Sequence, residues 1–379
     1  MQLKMDNHKI GQTGELEKMA VNSKKLLYIV EAMGGGVFTY IVDLANELCK
    51  EYDLYIAYAI RPQTPSNYKE YFDKKIHLIK VENLGRAINL VKDFKSLGEI
   101  KKIAKKINPD IIHLHSSKAG VVGRIAFNGK NIPLFYTPHG YSFLMKNYNP
   151  IKRMLFKIIE VMCAKSNCIT ISCSEGEHKE TRKFARRSTY VNNAINLYAL
   201  QKMISQVELE EHPFTVFTLG RICYQKHPEL FNQIAEKLPD IRFLWIGDGE
   251  LRKELKAVNI EVTGWTDRKE AIKRSMNADA FVLTSLWEGL PISLLESMYM
   301  KKPCVVSNTI GNNNVIHNGD NGYVCDRIED FIKGILEIQA GDAQAFADKA
   351  YRDVVEFYDT KVQARAYSRI YKKMALERV

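Results

Sequence analysis

At 379 residues the chain is longer than one hydrophobic core usually organises, so two domains are expected. Its 46% hydrophobic and 26% charged residues are those of an ordinary globular protein, and no apolar run approaches the ~20 residues of a membrane-spanning helix. The net charge of +11 calls for an anionic partner, and with no helix-turn-helix, zinc-finger or RNP-like pattern, a membrane surface or phosphate-bearing small substrates stand ahead of nucleic acid.

Residues 1–23 are polar and mixed in charge, lack the apolar segment of a signal peptide, and read as a flexible extension. Short, β-rich apolar runs then alternate with longer segments of helical period. Strands are expected at 24–30, 53–59, 76–80, 111–115, 133–137, 168–172 and 189–191, with helices between them, for example 37–50, 90–107 and 174–186. Residues 196–212 turn polar, lose periodicity and read as a linker. A second series opens at 214–219 and repeats at 241–246, 260–263, 280–284, 303–306 and 322–324. Buried parallel strands have this look, so the expected fold class is α/β, with two doubly wound, Rossmann-like domains over 24–195 and 213–356. The seven cysteines form no CxxC pair, and free thiols in a reducing cytoplasm are expected.

In doubly wound sheets ligands sit outside the carboxyl ends of the strands, so the informative residues directly follow strands. The first strand runs into Gly34-Gly35-Gly36 and a helix, a turn whose glycines let backbone approach a bound group while the helix start offers N–H groups to an anion. A tight strand-to-helix turn needs the same glycines, and the spacing does not match a nicotinamide or flavin fingerprint. After the first strand of the second series come Gly220, Arg221 and Lys226. Two cations five residues apart in one loop can grip a diphosphate, the first with a planar fork and the second with a mobile point charge.

The densest signal is Thr284-Ser285-Leu286-Trp287-Glu288-Gly289-Leu290-Pro291-Ile292-Ser293-Leu294-Leu295-Glu296. Pro291 suits the first position of a helix whose free N–H groups, Ser293 included, can face a phosphate. Glu288 is placed to accept from the hydroxyls of a transferred sugar and Glu296 from those of a nucleoside ribose. Paired carboxylates also suit acid–base glycosidase chemistry, and Glu296 can merely compensate a helix terminus.

Together, Arg221 with Lys226 and Glu288 with Glu296 resemble the pattern of the retaining family 4 glycosyltransferases, of the GT-B fold, over nearly the whole chain. Pro303-Cys304-Val305-Val306-Ser307 and Gly319-Asp320-Asn321-Gly322-Tyr323 continue the likeness in order. His113-Leu114-His115-Ser116-Ser117-Lys118-Ala119-Gly120 and Thr137-Pro138-His139-Gly140 look like its branch that builds bacterial surface polysaccharides. The resemblance implies two domains facing across a cleft that holds the active site, with a last helix over 357–379 returning to the first domain. Arg221 and Lys226 would bind the donor diphosphate, Glu288 the donor sugar and Glu296 the ribose. His139 would stand near the reacting sugar, and Gly35 or Gly36 would face phosphates or acceptor. Gly220, Gly289, Leu290, Pro291 and Ser293 would complete the substrate site. Many members read Glu-x-Phe-Gly where this chain has Glu288-Gly289-Leu290-Pro291, so the donor sugar is not read from this loop.

His113 and His115 lie two apart on one face of a strand, and His115, at its end, is a candidate for substrate contact. Neither has a nearby carboxylate partner of metal-site type, and no Asp-x-Asp is present, so no cofactor and no metal are expected. Residues 151–162 carry apolar side chains at helical spacing, bordered by Lys152, Arg153 and Lys157 and preceded by the aromatic and basic loop 141–146. They suit either a core helix with a basic face or a helix resting on an anionic membrane.

The implied activity is metal-independent transfer of a hexosyl-type sugar, with retention, from a nucleoside-diphosphate donor to a hydroxyl of a lipid-linked saccharide. A uridine nucleotide is the family's commonest donor. The place of action would be the cytoplasm, peripheral on the inner face of the plasma membrane. A sugar-nucleotide 2-epimerase of the same fold and a non-catalytic nucleotide-sugar binder are the alternatives; the first would need no acceptor, and the second would be expected to lose the Arg/Lys pair or one of the two carboxylates.

Overall fold

A computed structural model describes residues 23–31, 33–85 and 89–376, so the extension expected over 1–23 lies, but for its last residue, outside them. Both expected sheets are present. The first contains β1 (Lys25–Val30), β2 (Asp53–Tyr58), β3 (His77–Lys80), β4 (Ile111–His115), β5 (Leu134–Thr137), β6 (Cys168–Ser172) and β7 (Ser188–Tyr190), in the order β3-β2-β1-β4-β5-β6-β7. The second contains β8 (Thr215–Leu219), β9 (Arg242–Ile246), β10 (Ile260–Val262), β11 (Ala280–Leu283), β12 (Cys304–Ser307) and β13 (Tyr323–Cys325), in the order β10-β9-β8-β11-β12-β13. All these pairings are parallel. The order reverses between β1 and β4 and again between β8 and β11, which opens a crevice at the carboxyl ends of those strands.

Each sheet is apolar on both faces because helices cover both, and each fully buried Leu, Ile or Phe contributes about 1.5–3 kcal/mol on leaving water. On one face of the first sheet, Tyr28 and Ile56 pack with Ile41 and Leu44 of the Gly35–Leu48 helix and with Tyr367 and Tyr371 of the Thr360–Leu376 helix. The chain passes between the domains at two adjacent points, where Ile195 N–H donates to Tyr358 C=O and Thr360 N–H to Ile195 C=O.

The expected linker 196–212 is corrected. It contains a helix, Leu197–Ile204, capped by the Asn196 side chain, with Leu200 fully buried in the second core. Leu197, Leu200 and Ile204 do carry helical spacing; the polar residues around them hid it.

The Pro150–Cys163 helix inverts the usual rule. Its one buried residue is Glu160, whereas Ile151 is 82% exposed, Met154 66% and Met162 64%. The core-helix alternative therefore fails. Glu160 points inward because Arg124 and Tyr136 wait there: the guanidinium Nη2 lies 2.6 Å from one carboxylate oxygen, and the phenol donates to the other at 2.9 Å.

Candidate active site

Hydrogen bonds to backbone carbonyls zip together the loops that leave β8 and β11. The Thr284 hydroxyl donates to the Lys226 carbonyl at 2.7 Å, Leu286 N–H to the Gln225 carbonyl at 2.8 Å, and the Gln225 amide to the Trp287 carbonyl at 2.9 Å. The result is contact between two residues that are distant in sequence. Lys226 Nζ stands 2.8 Å from one Glu288 oxygen, and Gln225 Nε2 is 3.2 Å from the other. Only 16% and 8% of the Lys226 and Glu288 side chains remain exposed, so each charge depends on the other. Arg221 sits farther out, paired at 2.9 Å with Glu250 and open to solvent.

Gly220 takes φ +149°, a conformation that favours glycine, and the Lys226 stem packs at van der Waals distance beside it, 3.4 Å from where a Cβ would stand. Gly247 and Gly249 bring the β9 loop onto this one. Added Cβ atoms would fall 2.2 Å from the Gly220 carbonyl oxygen and 2.1 Å from that of Ile222. Sequence reasoning passed over Gly247 and Gly249; two glycines directly after a strand were the available signal.

The Ile292–Tyr299 helix begins with no side-chain cap and no acidic residue in its first turn, leaving Ser293 and its neighbours with the donors an anion needs. Pro291 is the extended N-cap residue rather than the first helical one, a one-residue correction. Leu290 is also corrected. Its side chain lies in the core, and its carbonyl accepts from Asn193 Nδ2 at 2.7 Å, so it shapes the loop rather than touching a ligand. Glu296 is 5% exposed and pairs with Arg268, Nη2 to Oε1 at 2.6 Å.

In the first domain Gly35 takes φ +57°, a left-handed conformation that favours glycine, at the start of an uncapped helix. A Cβ on Gly35 or Gly36 would meet nothing within 4 Å, so free space stands above both. Three histidines run outward from the first domain's core. His113 is saturated, with Tyr371 OH at 2.6 Å and Thr137 Oγ1 at 2.9 Å. His115 is fully buried behind His139, its Nδ1 3.1 Å from His139 Nε2, so the expected direct substrate contact of His115 is corrected: its side chain reaches no open surface. His139 keeps part of its surface open, takes φ +55°, and stands edge-on to Tyr40 at 4.6 Å. Tyr40 in turn donates to Tyr367 at 2.6 Å, tying the returning helix to the site.

Desolvation holds the His139 imidazole down to about 3, and burial also lowers His113 and His115. A neutral imidazole is then the working form. Below the unfolded value near 6.5 the unfolded chain takes up protons that the fold refuses, so stability is present above that pH and is lost as pH falls. A thermal-melt series from pH 7.5 to 5 should show this loss, with a slope in His139→Asn shallower by up to about 1.4 kcal/mol per pH unit. An unchanged slope would contradict the buried neutral state.

The two halves of the site meet at Gly289. A Cβ there would stand 2.9 Å from Cys173 Sγ, 3.6 Å from Gly140 N and 3.9 Å from Glu177 Oε1, all in the first domain. Glu177 organises that wall by accepting from Gly140 N–H and Cys173 N–H, each at 2.8 Å, while burial pushes its carboxyl up. It was missed in the sequence. The pattern Ser174-x-x-Glu177 is visible as a helix start, and Ser174 does cap, accepting from Glu177 N–H at 3.1 Å. The glutamate, however, is used across the loop.

Comparison with known proteins gives two family matches: "Glycosyltransferase Family 4" over residues 34–198 and "Glycosyl transferases group 1" over residues 201–353. The chain is 32% identical over 304 residues to the Escherichia coli UDP-Gal:alpha-D-GlcNAc-diphosphoundecaprenol alpha-1,3-galactosyltransferase, covering 71% of this chain and 76% of that one. It is 24% identical to a Campylobacter jejuni alpha-1,4-N-acetyl-D-galactosaminyltransferase named for a PP-undecaprenol-linked acceptor, covering 76% and 80%. Among solved structures, sucrose-phosphate synthase from Thermosynechococcus elongatus superposes with a TM-score of 0.78 at 15% identity, covering 93% and 99%. Anabaena HepE in complex with UDP and glucose gives 0.74 at 14%, covering 92% and 99%. These structural likenesses show the fold.

Proposed function

Since the chain belongs to glycosyltransferase family 4, of the GT-B fold, we propose that it moves a sugar from a nucleoside diphosphate, a uridine nucleotide by preference, to a hydroxyl of a lipid-linked saccharide, with retention and without metal. The observation that carries this reading is the largely buried Lys226–Glu288 pair, set beside the uncapped Ile292–Tyr299 helix and facing Cys173 and Gly140 through Gly289. Lys226, Arg221 and the helix start meet the charge that grows on the departing diphosphate. Glu288 takes the sugar hydroxyls, Glu296 the ribose, and His139 borders the reacting sugar from the first domain. The sugar's anomeric carbon loses its bond to the diphosphate oxygen as the acceptor oxygen bonds on the same face. The acceptor proton passes to the departing diphosphate. The names of the E. coli and C. jejuni relatives support a lipid-diphosphate acceptor.

An acceptor of that kind lies in a membrane, and the Pro150–Cys163 helix suits a membrane surface. No helix among the described residues is long and apolar enough to cross a membrane. The exposed Ile151, Met154, Leu155, Ile158 and Met162 are flanked by exposed Lys152 and Lys157, an arrangement fitting peripheral contact with the anionic inner face. Met154→Glu with Ile158→Glu should weaken co-sedimentation with phosphatidylglycerol-containing vesicles by about tenfold or more, since two apolar contacts become repelled charges. The melting temperature should stay unchanged; full retention on vesicles would contradict the assignment.

The donor reading is tested by thermal shift with a panel of nucleoside diphosphates, without metal, on the native chain and Glu296→Ala. Ligand at 100 times its dissociation constant stabilises by ~2.7 kcal/mol. A shift with one nucleotide, lost in Glu296→Ala, is the expected result; no shift with any of them would favour a non-catalytic role.

A further inference from the structure

We propose that His115 is a positioning residue that locks His139 in the tautomer with its proton on Nδ1, so that His139 presents an N–H, and not a lone pair, to the transferred sugar. The second half of the inference rests on the reading that His139 borders that sugar.

The two rings lie 24° apart in plane, with His115 Nδ1 3.1 Å from His139 Nε2. Burial keeps both imidazoles neutral, so each carries one proton, and the bond between them needs it on one of the facing nitrogens and absent from the other. The far nitrogen of each ring decides which. His115 Nε2 is shut off from water and has no hydrogen-bond partner. Aromatic rings surround it, with centroids of His113 at 4.0 Å, Tyr28 at 4.5 Å and Tyr40 at 6.1 Å. Among the described residues His139 Nδ1 is not closed off in this way, and His139 keeps part of its surface open.

If His139 Nε2 donated, the His115 proton would sit on Nε2, a buried N–H with no acceptor, which folded proteins almost never leave. If His115 Nδ1 donates, its Nε2 keeps only a bare lone pair. The His139 proton then sits on Nδ1, where water or a ligand can accept from it. Only this second arrangement leaves no N–H stranded, and a histidine's tautomer follows the hydrogen bond of its other nitrogen.

The location gives the choice a consequence. His139 takes φ +55°, and the nitrogen of the next residue, Gly140, lies 3.6 Å from where a Cβ on Gly289 would stand, against the loop that carries Glu288. A protonated Nδ1 can donate to a sugar oxygen but has no lone pair with which to take the acceptor proton. His139 is thereby a hydrogen-bond donor and not the base of the reaction.

The test is a long-range proton–nitrogen correlation spectrum of the full chain, isotope-labelled at histidine nitrogen, with His139→Asn identifying the His139 signals. A bare Nε2 and a protonated Nδ1 on His139 are expected. His115→Leu should release the lock, moving His139 toward the Nε2–H form and lowering kcat about tenfold while donor KM changes less than about threefold. His115→Asn, whose amide N–H can replace Nδ1–H, should restore both. A protonated Nε2 in the native chain, or an unchanged His139 tautomer in His115→Leu, would overturn the lock whatever the turnover. Should His115→Leu fold poorly, the native spectrum decides alone. Turnover is read with uridine-diphosphate galactose and polyprenyl-diphosphate-linked N-acetylglucosamine, the substrates named for the E. coli relative. If His139→Asn transfers at the native rate, the sugar contact is overturned and the lock stands. A native chain that shows the tautomer but transfers nothing removes the donor reading, and the sugar contact with it.

Discussion

Lys226→Ala is expected to lower kcat/KM by about 10²–10³-fold, the usual loss when one preorganised charge is removed from a developing anion. The position is favourable for so large an effect. Lys226 is mostly out of solvent, its carbonyl is pinned by Thr284, and its amine is already ordered against Glu288 at 2.8 Å, so under the proposed function it would meet the diphosphate with little reorganisation. The same geometry predicts a structural side effect, because Glu288 is left buried with only Gln225 as partner. Lys226→Met with Glu288→Gln separates the two contributions. The pair should recover most of the lost stability and none of the activity. Arg221→Ala should cost less, about tenfold, because Arg221 is exposed and held by an exposed glutamate. Turnover within about threefold of native in Arg221→Ala, under ~1 kcal/mol, would contradict its diphosphate role.

Glu160→Ala should destabilise the fold by about 3–5 kcal/mol, the cost of leaving one member of a buried ion pair alone. Two groups lose their partner at once. Arg124 keeps only the Gly120 carbonyl at 2.8 Å and the Tyr136 ring 4.2 Å from its guanidinium carbon, and the Tyr136 phenol loses its acceptor. Arg124→Met with Glu160→Leu should restore most of the loss, since apolar residues of similar volume often replace a buried pair at little cost. Denaturant midpoints measure both, and a Glu160→Ala loss below ~1 kcal/mol would contradict the burial of this pair. The pair is also the mooring of the outward-facing helix, so the exposed apolar face depends on a charged contact beneath it.

The strands were legible because hydrophobic periodicity is local: short apolar runs between amphipathic stretches placed both sheets within a residue or two. The rule that parallel sheets bind ligands at strand ends singled out the loops after β8 and β11, which the Lys226–Glu288 contact joins. What stayed hidden is tertiary. Periodicity gives the Pro150–Cys163 helix an apolar stripe without saying whether core or solvent faces it, and Glu160, which moors it, looks like any surface acid. Strand alternation put His113 and His115 on one face, yet only packing shows that His139 covers His115. Leu290 sits inside the loop motif and still belongs to the core. Glu177 and Arg268 act on Gly140 and Glu296, 37 and 28 positions away, and no local pattern marks those contacts.

The most direct test of the central claim is a transfer assay with chelator present, a radiolabelled uridine-diphosphate sugar, and a polyprenyl-diphosphate-linked saccharide as acceptor. Acceptor-dependent release of uridine diphosphate, with label moved to the lipid-linked product in α linkage from an α-linked donor, is the predicted result, and Glu288→Gln should abolish it. Donor isomerised without any acceptor, or no turnover with any lipid-linked saccharide despite nucleotide binding, would contradict it.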